Sequence, residues 1–139
     1  MIYLTGIHAL NINCELETCG DWHQSSLRWE NLTIRNADDS VFGDWGIERD
    51  KKIPNHTELF NVANHIRALL DLISEGMFSV AQGMRDDFIC NDIYTELIYE
   101  KVSMLSGTSN WQQIDLFMER EYKLQWISYR GESSHGLAS

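Results

Sequence analysis

Hydrophobic positions in the first dozen residues alternate so that both faces of an extended chain are apolar. Ile2, Leu4, Gly6, His8, Leu10 and Ile12 fall on one face, and Tyr3, Thr5, Ile7 and Ala9 on the other. That pattern predicts an interior strand, covered on both sides. Residues 13 to 26 lose the period, and Leu27-Arg-Trp-Glu-Asn-Leu-Thr-Ile-Arg offers a second strand. Asn36-Ala-Asp-Asp-Ser is turn chemistry, because short polar side chains bond their own backbone. Val41-Phe-Gly-Asp-Trp-Gly-Ile predicts a third, glycine-interrupted strand, and Lys51-Lys-Ile-Pro-Asn a polar connector.

Beyond Pro54 the period becomes helical. Leu59, Val62, Ala63, Ile66, Leu69, Leu70 and Ile73 form one stripe, with Asn55 or Thr57 able to cap its start and Gly76 placed for a left-handed C-terminal cap. Asn91 or Asp92 can open a second helix that runs through Leu105 and ends at Gly107. Ser109-Asn-Trp-Gln has capping-box spacing and opens a third helix carrying Trp111, Ile114, Phe117 and Met118. Tyr122-Lys-Leu-Gln-Trp-Ile-Ser-Tyr reads as a strand returning to the sheet, since aromatic and β-branched residues suit a pleated surface. The architecture expected is α+β: a small, mainly antiparallel sheet from the N-terminal third packed against two or three C-terminal helices. Residues 1 to 130 make one domain, and 131 to 139 a flexible C-terminal tail.

Composition narrows the function classes. The chain has 139 residues, a net charge of −10 and 43% hydrophobic residues, enough for a core despite the charge. Nine acids face five bases in residues 1 to 56, eight face three in 57 to 106, and four face three thereafter. So distributed a negative field repels phosphate backbones, which argues against direct nucleic-acid binding and for a basic protein partner. No stretch is apolar enough for a membrane span and the start has no signal-peptide pattern, so a cytoplasmic protein is expected. Cys14, Cys19 and Cys90 make an odd count, which suits reduced thiols better than a disulfide framework. Oligomeric state is left open.

Few constellations suggest chemistry. Cys14, Cys19 and His23, with His8 or Cys90 as fourth ligand, can be imagined around zinc, but the paired C-x-x-C knuckle is missing and thiols satisfied in the core are the simpler reading. No metal and no cofactor is therefore expected. His8, Asp21 and His23 are the candidates for acid–base work, with Trp22 as a wall beside them. The plainer reading is that His8 bonds a nearby carbonyl and Asp21 caps a turn after Gly20. Nucleophile elbows and phosphate loops are absent: Gly43-Asp-Trp-Gly46 lacks both the Lys-Ser ending and the dinucleotide-binding spacing. Of the five tryptophans, one or two near Asp21, Asp44 or Glu30 can anchor an interface. Asp86, Asp87 and Asp92 mark the acidic stretch where a basic partner would dock.

The strings Tyr3-Leu-Thr-Gly-Ile-His-Ala-Leu-Asn, Thr18-Cys-Gly-Asp-Trp-His, Asn64-His-Ile-Arg-Ala-Leu-Leu-Asp-Leu and Ser79-Val-Ala-Gln-Gly-Met resemble a family of small uncharacterised bacterial proteins. The resemblance covers residues 1 to about 129 and implies a gene neighbourhood of abortive-infection or toxin–antitoxin systems. It carries no catalytic residue. The expected function is an acidic protein-interaction component of a bacterial or phage defence system, an inhibitor, antitoxin-like or counter-defence protein binding a basic partner. The alternative is a small toxin-type enzyme acting on a nucleotide or RNA, with its His/Asp site in the N-terminal third.

Overall fold

A computed structural model describes the backbone of residues 1–138 and the side chains of residues 1–132. The fold is α+β. Four strands, β1 (Ile2–Leu4), β2 (Ile34–Asn36), β3 (Ile47–Lys51) and β4 (Phe60–Ala63), form one sheet in the order β2-β1-β4-β3. β1 pairs antiparallel with β2, with Leu4 opposite Ile34, and parallel with β4, where Leu4 meets Val62. β3 and β4 are antiparallel, with an irregularity between Glu48 and Lys51, where Asp50 takes a φ of 57°.

The N-terminal strand is far shorter than its alternation predicts. It stops at Leu4, and a helix, α1 (Gly6–Leu10), follows. Gly6 makes the break with a φ of +64°, and a Cβ there would sit 3.2 Å from the Thr33 methyl. A stretch apolar on both faces suits a buried helix as well as a buried strand, and the left-handed glycine decides between them. Residues 27 to 33 and 41 to 46 are turns, so the second and third strands begin later than expected, at Ile34 and Ile47. The helical stripe is likewise split, because Phe60–Ala63 is β4 and the helix starts only after Asn64.

That helix, α2 (His65–Ser74), lies against α1 and β4 and is the centre of the core. Ile66, Leu69, Leu70 and Ile73 are fully buried. Asn64 accepts the Arg67 backbone N–H at 2.8 Å as the N-cap, and Gly76, at φ 77°, closes the far end. Its N–H bonds the Ile73 carbonyl while Met77 N–H bonds that of Leu72, the paired bonds of a Schellman motif. Inside α2 the Arg67 side chain is 0% exposed. It donates to Asp71 at 3.0 Å, to the Gly43 and Trp45 carbonyls at 2.8 and 2.6 Å, and to the Tyr3 hydroxyl at 2.9 Å. Tyr3 and Thr5 in turn donate to Asp71 at 2.6 and 2.7 Å. The buried charges are thus paired and fully bonded, the condition under which burial is tolerated.

α3 (Phe78–Ala81) leads into a π-helical turn, Met84–Ile89, bounded by left-handed Gly83 and Cys90. A 3-10 turn capped by Asn91 precedes α4 (Thr95–Ser103), near the predicted second helix. α5 (Trp111–Tyr122) begins without the expected capping box. Asn110 occupies the cap position and its amide instead reaches the Ser74 carbonyl at 3.2 Å, tying α5 to the end of α2. The predicted last strand is a helix, α6 (Leu124–Ala138). Left-handed Lys123 separates it from α5. Trp126 and Tyr129 project one helical turn apart, with ring centroids 5.3 and 5.0 Å from Tyr99. The expected tail from 131 to 139 coincides with the end of α6 up to Ala138, and at Ser139 lies outside the described residues. No helix among the described residues is long and apolar enough to cross a membrane.

Candidate functional site

The loop from Asn11 to Gln24 folds over the end of α1 because its polar groups are claimed one by one. Asn11 is the organiser. Its amide donates to the Ile7 carbonyl at 2.9 Å and to Asp21 Oδ2 at 3.1 Å, and its oxygen accepts the His23 backbone N–H at 2.8 Å. Asp21 N–H bonds the Leu10 carbonyl, and Gln24 donates to the Asn11 carbonyl at 2.6 Å. So held, Asp21 Oδ1 accepts from His23 Nδ1 at 2.5 Å. Nδ1 is thereby engaged with Asp21, and Nε2 makes no hydrogen bond among the described residues. Beside the pair opens a cleft of about 530 Å³, lined by Asn11, Asp21, Trp22, Gln24, Trp29 and His65 among others.

The three residues expected to share acid–base work are not gathered. Asp21 and His23 are in contact, whereas His8 points to the 28–33 turn. There its Nε2 donates to the Arg28 carbonyl at 3.0 Å and its Nδ1 accepts the Thr33 N–H at 3.3 Å. Both nitrogens are thereby occupied, and the Trp29 ring packs edge-on at 5.0 Å.

The cysteines correct two expectations. Cys19 and Cys90 form a disulfide, with Cα atoms 5.9 Å apart, so the three are not all reduced thiols, and only Cys14 is free. None of them is a core thiol: Cys14 and Cys19 are half-buried and Cys90 is exposed. The imagined zinc set does not assemble, since two of its sulfurs are bonded to each other, and no metal-holding group of His, Cys, Asp and Glu occurs among the described residues.

Cys14 belongs to a cluster that spacing did not reveal. Its Sγ lies 3.5 Å from the Thr18 hydroxyl, which lies 2.7 Å from His65 Nδ1, while His65 Nε2 donates to the Ile12 carbonyl at 2.8 Å. Burial pushes the thiol up, but bonding to His65 and Thr18 outweighs it and brings the group down to about 7. For His65 burial works downward, and the Cys14 thiolate and the Ile12 carbonyl reverse it, leaving the imidazole raised. A histidine directly after an Asn N-cap was the available clue, because the first helical residue is fixed by the cap. Its partner, fifty residues away in sequence, was not legible.

The acidic candidates are exposed. Asp86 and Asp87 sit in the π-helical turn and Asp92 just beyond it. Asp87 folds back against Gly83, and Asp92 stands 3.4 Å from Arg85. Asp92 also borders a second groove, of about 610 Å³, between α4 and α6. Glu96 and Glu132 line the groove with it, half-buried Tyr129 forms its aromatic floor over the buried Tyr99, and Leu124 projects beside them 78% exposed. Ile93, next to Asp92, is 70% exposed. No family model, curated protein or solved structure matches the chain.

Proposed function

We propose that the protein is an acidic interaction component that binds a basic partner through the groove between α4 and α6. The groove itself is the observation that carries this reading: three carboxylates, Asp92, Glu96 and Glu132, surround Tyr99, Tyr129 and a largely exposed Leu124. Apolar surface of that kind with a charged rim is the anatomy of a docking site, and its sign selects a Lys- or Arg-bearing segment with an apolar anchor. The net charge of −10 adds long-range steering. The cellular setting, a bacterial or phage defence, toxin–antitoxin or counter-defence system, is proposed from the resemblance carried by the four sequence strings alone.

Pull-down from a host lysate followed by a salt titration tests the reading. Association should weaken steeply as salt rises, and reversing Glu96 and Glu132 to lysine should weaken it roughly tenfold or more. Tight association indifferent to both would sink the charge-mediated mechanism. One observation favours a second reading, a small toxin-type enzyme: Asp21 lines a cleft and is bonded to the neighbouring, exposed His23, a His/Asp pairing suited to acid–base work. The acidic field works against RNA as its substrate. Growth arrest on expression, abolished by Asp21→Asn and His23→Gln, would support this enzyme.

A further inference from the structure

We infer that the cleft beside Asp21 and His23 is a binding site for an uncharged polar ring, a nucleoside or a saccharide, seated on the exposed face of Trp22. This deepens the enzymatic reading by naming its ligand class, and rests on that reading only for the role of the Asp21–His23 pair beside the cleft.

Size and lining carry the inference. A cleft of about 530 Å³ falls in the range of small-molecule sites. Trp22 lines it while remaining 76% exposed. An indole so displayed covers little of its own chain, and its flat apolar face is suited to a base or to the C–H face of a sugar. Around it stand hydrogen-bonding groups without formal charge: Asn13, Gln24, Ser25 and Asn55. The Asn13, Ser25 and Asn55 side chains enter no hydrogen bond among the described residues, whereas Asn11 is fully engaged in holding Asp21 and His23. The site therefore divides into a fixed frame and unengaged groups facing the cleft.

Charge excludes the nearest competitors. No Lys or Arg lines the cleft, and the lining His65 is 3% exposed with both ring nitrogens engaged by Thr18 and the Ile12 carbonyl, so a phosphate or carboxylate would meet Asp21 and the protein's negative field with no free cation to receive it. A polyamine would suit the field, but Asp21 is already bonded to His23 and to Asn11. The unengaged Asn13, Ser25 and Asn55 side chains are left to bond ligand hydroxyls, which both nucleosides and sugars supply in abundance.

Calorimetric titration of the full chain with adenosine, AMP, N-acetylglucosamine and spermidine tests this. Adenosine or N-acetylglucosamine should bind, the tighter of the two naming the ring. AMP should bind about tenfold or more weakly than adenosine, and Trp22→Ala, a change at an exposed side chain, should weaken the neutral ligand roughly tenfold. Binding of spermidine in preference to both neutral probes, AMP as tight as adenosine, no effect of Trp22→Ala, or no binding by either neutral probe at about 10 mM would each overturn the proposal. Binding at equilibrium without turnover would uphold the ligand class while removing the enzymatic reading.

Discussion

At the scale of single residues, two side chains carry the strongest expectations. Cys14 is held at about 7, so its alkylation by iodoacetamide, followed by mass spectrometry, should rise with pH around a midpoint near 7. His65→Phe should move that midpoint up, because the bond that favours the thiolate is gone. The sign for stability follows. A thiol lowered on folding contributes stability that is present above its ordinary value of 9.0 and fades as pH falls through about 7. The raised His65 contributes in the opposite sense, with stability present at low pH and lost as pH climbs through its raised value. Arg67 is the second case. Cutting it to methionine strands Asp71 among buried groups, and should cost about 3 to 5 kcal/mol in urea unfolding. Arg67 was not visible as special in sequence: it lies on the helical face between apolar neighbours, and what makes it indispensable is a set of acceptors from residues 3, 43, 45 and 71.

At the scale of elements, local signals were legible where they act within one turn. Gly76 was recognised as a left-handed cap because the requirement is local, and Asn64 satisfies the same kind of rule at the other end of α2. Asn64→Ala should lower stability by about 1 kcal/mol through loss of its cap bond, and thermal unfolding of the variant would show it. Where two elements compete for one pattern, sequence reading failed. The Tyr122, Trp126 and Tyr129 spacing fits a helix as well as a strand. The helix prevails because it packs Trp126 edge-on and Tyr129 at a tilt against Tyr99 and lets the indole N–H reach Asp115 at 2.8 Å. The serine capping box failed for a related reason, since Asn110 is drawn to Ser74 of another helix.

At the scale of the whole molecule, the Cys19–Cys90 bridge joins the loop that carries Asp21 and His23 to the turn that carries Asp86 and Asp87. It spans 71 residues of sequence, and the Gly20 N–H bonds the Phe88 carbonyl at 2.8 Å alongside it. The two candidate sites are thus mechanically neighbours. Closing a loop of that length restricts the unfolded chain, so reduction or Cys90→Ser should lower stability by about 4 kcal/mol, measured as a drop in the urea midpoint. An unchanged midpoint under reducing conditions would show that the bridge does not hold the native fold together. A bridge with one exposed cysteine is also open to attack by small thiols, so the redox state of the sample should accompany every binding measurement.

The chain's amino-acid pattern by itself determined the fold class, the placing of the sheet in the N-terminal half and the distributed negative charge, because each is a sum over many residues and tolerates local error. It also marked Asp21 and His23, which are two residues apart and so meet through local backbone geometry. Tertiary structure alone decided the rest: that His8 turns away to Arg28 and Thr33, that Cys14 meets His65, and that Cys19 reaches Cys90. Those pairings join segments 20 to 71 residues apart. No periodicity encodes them, since each depends on where whole elements come to rest in the packed molecule.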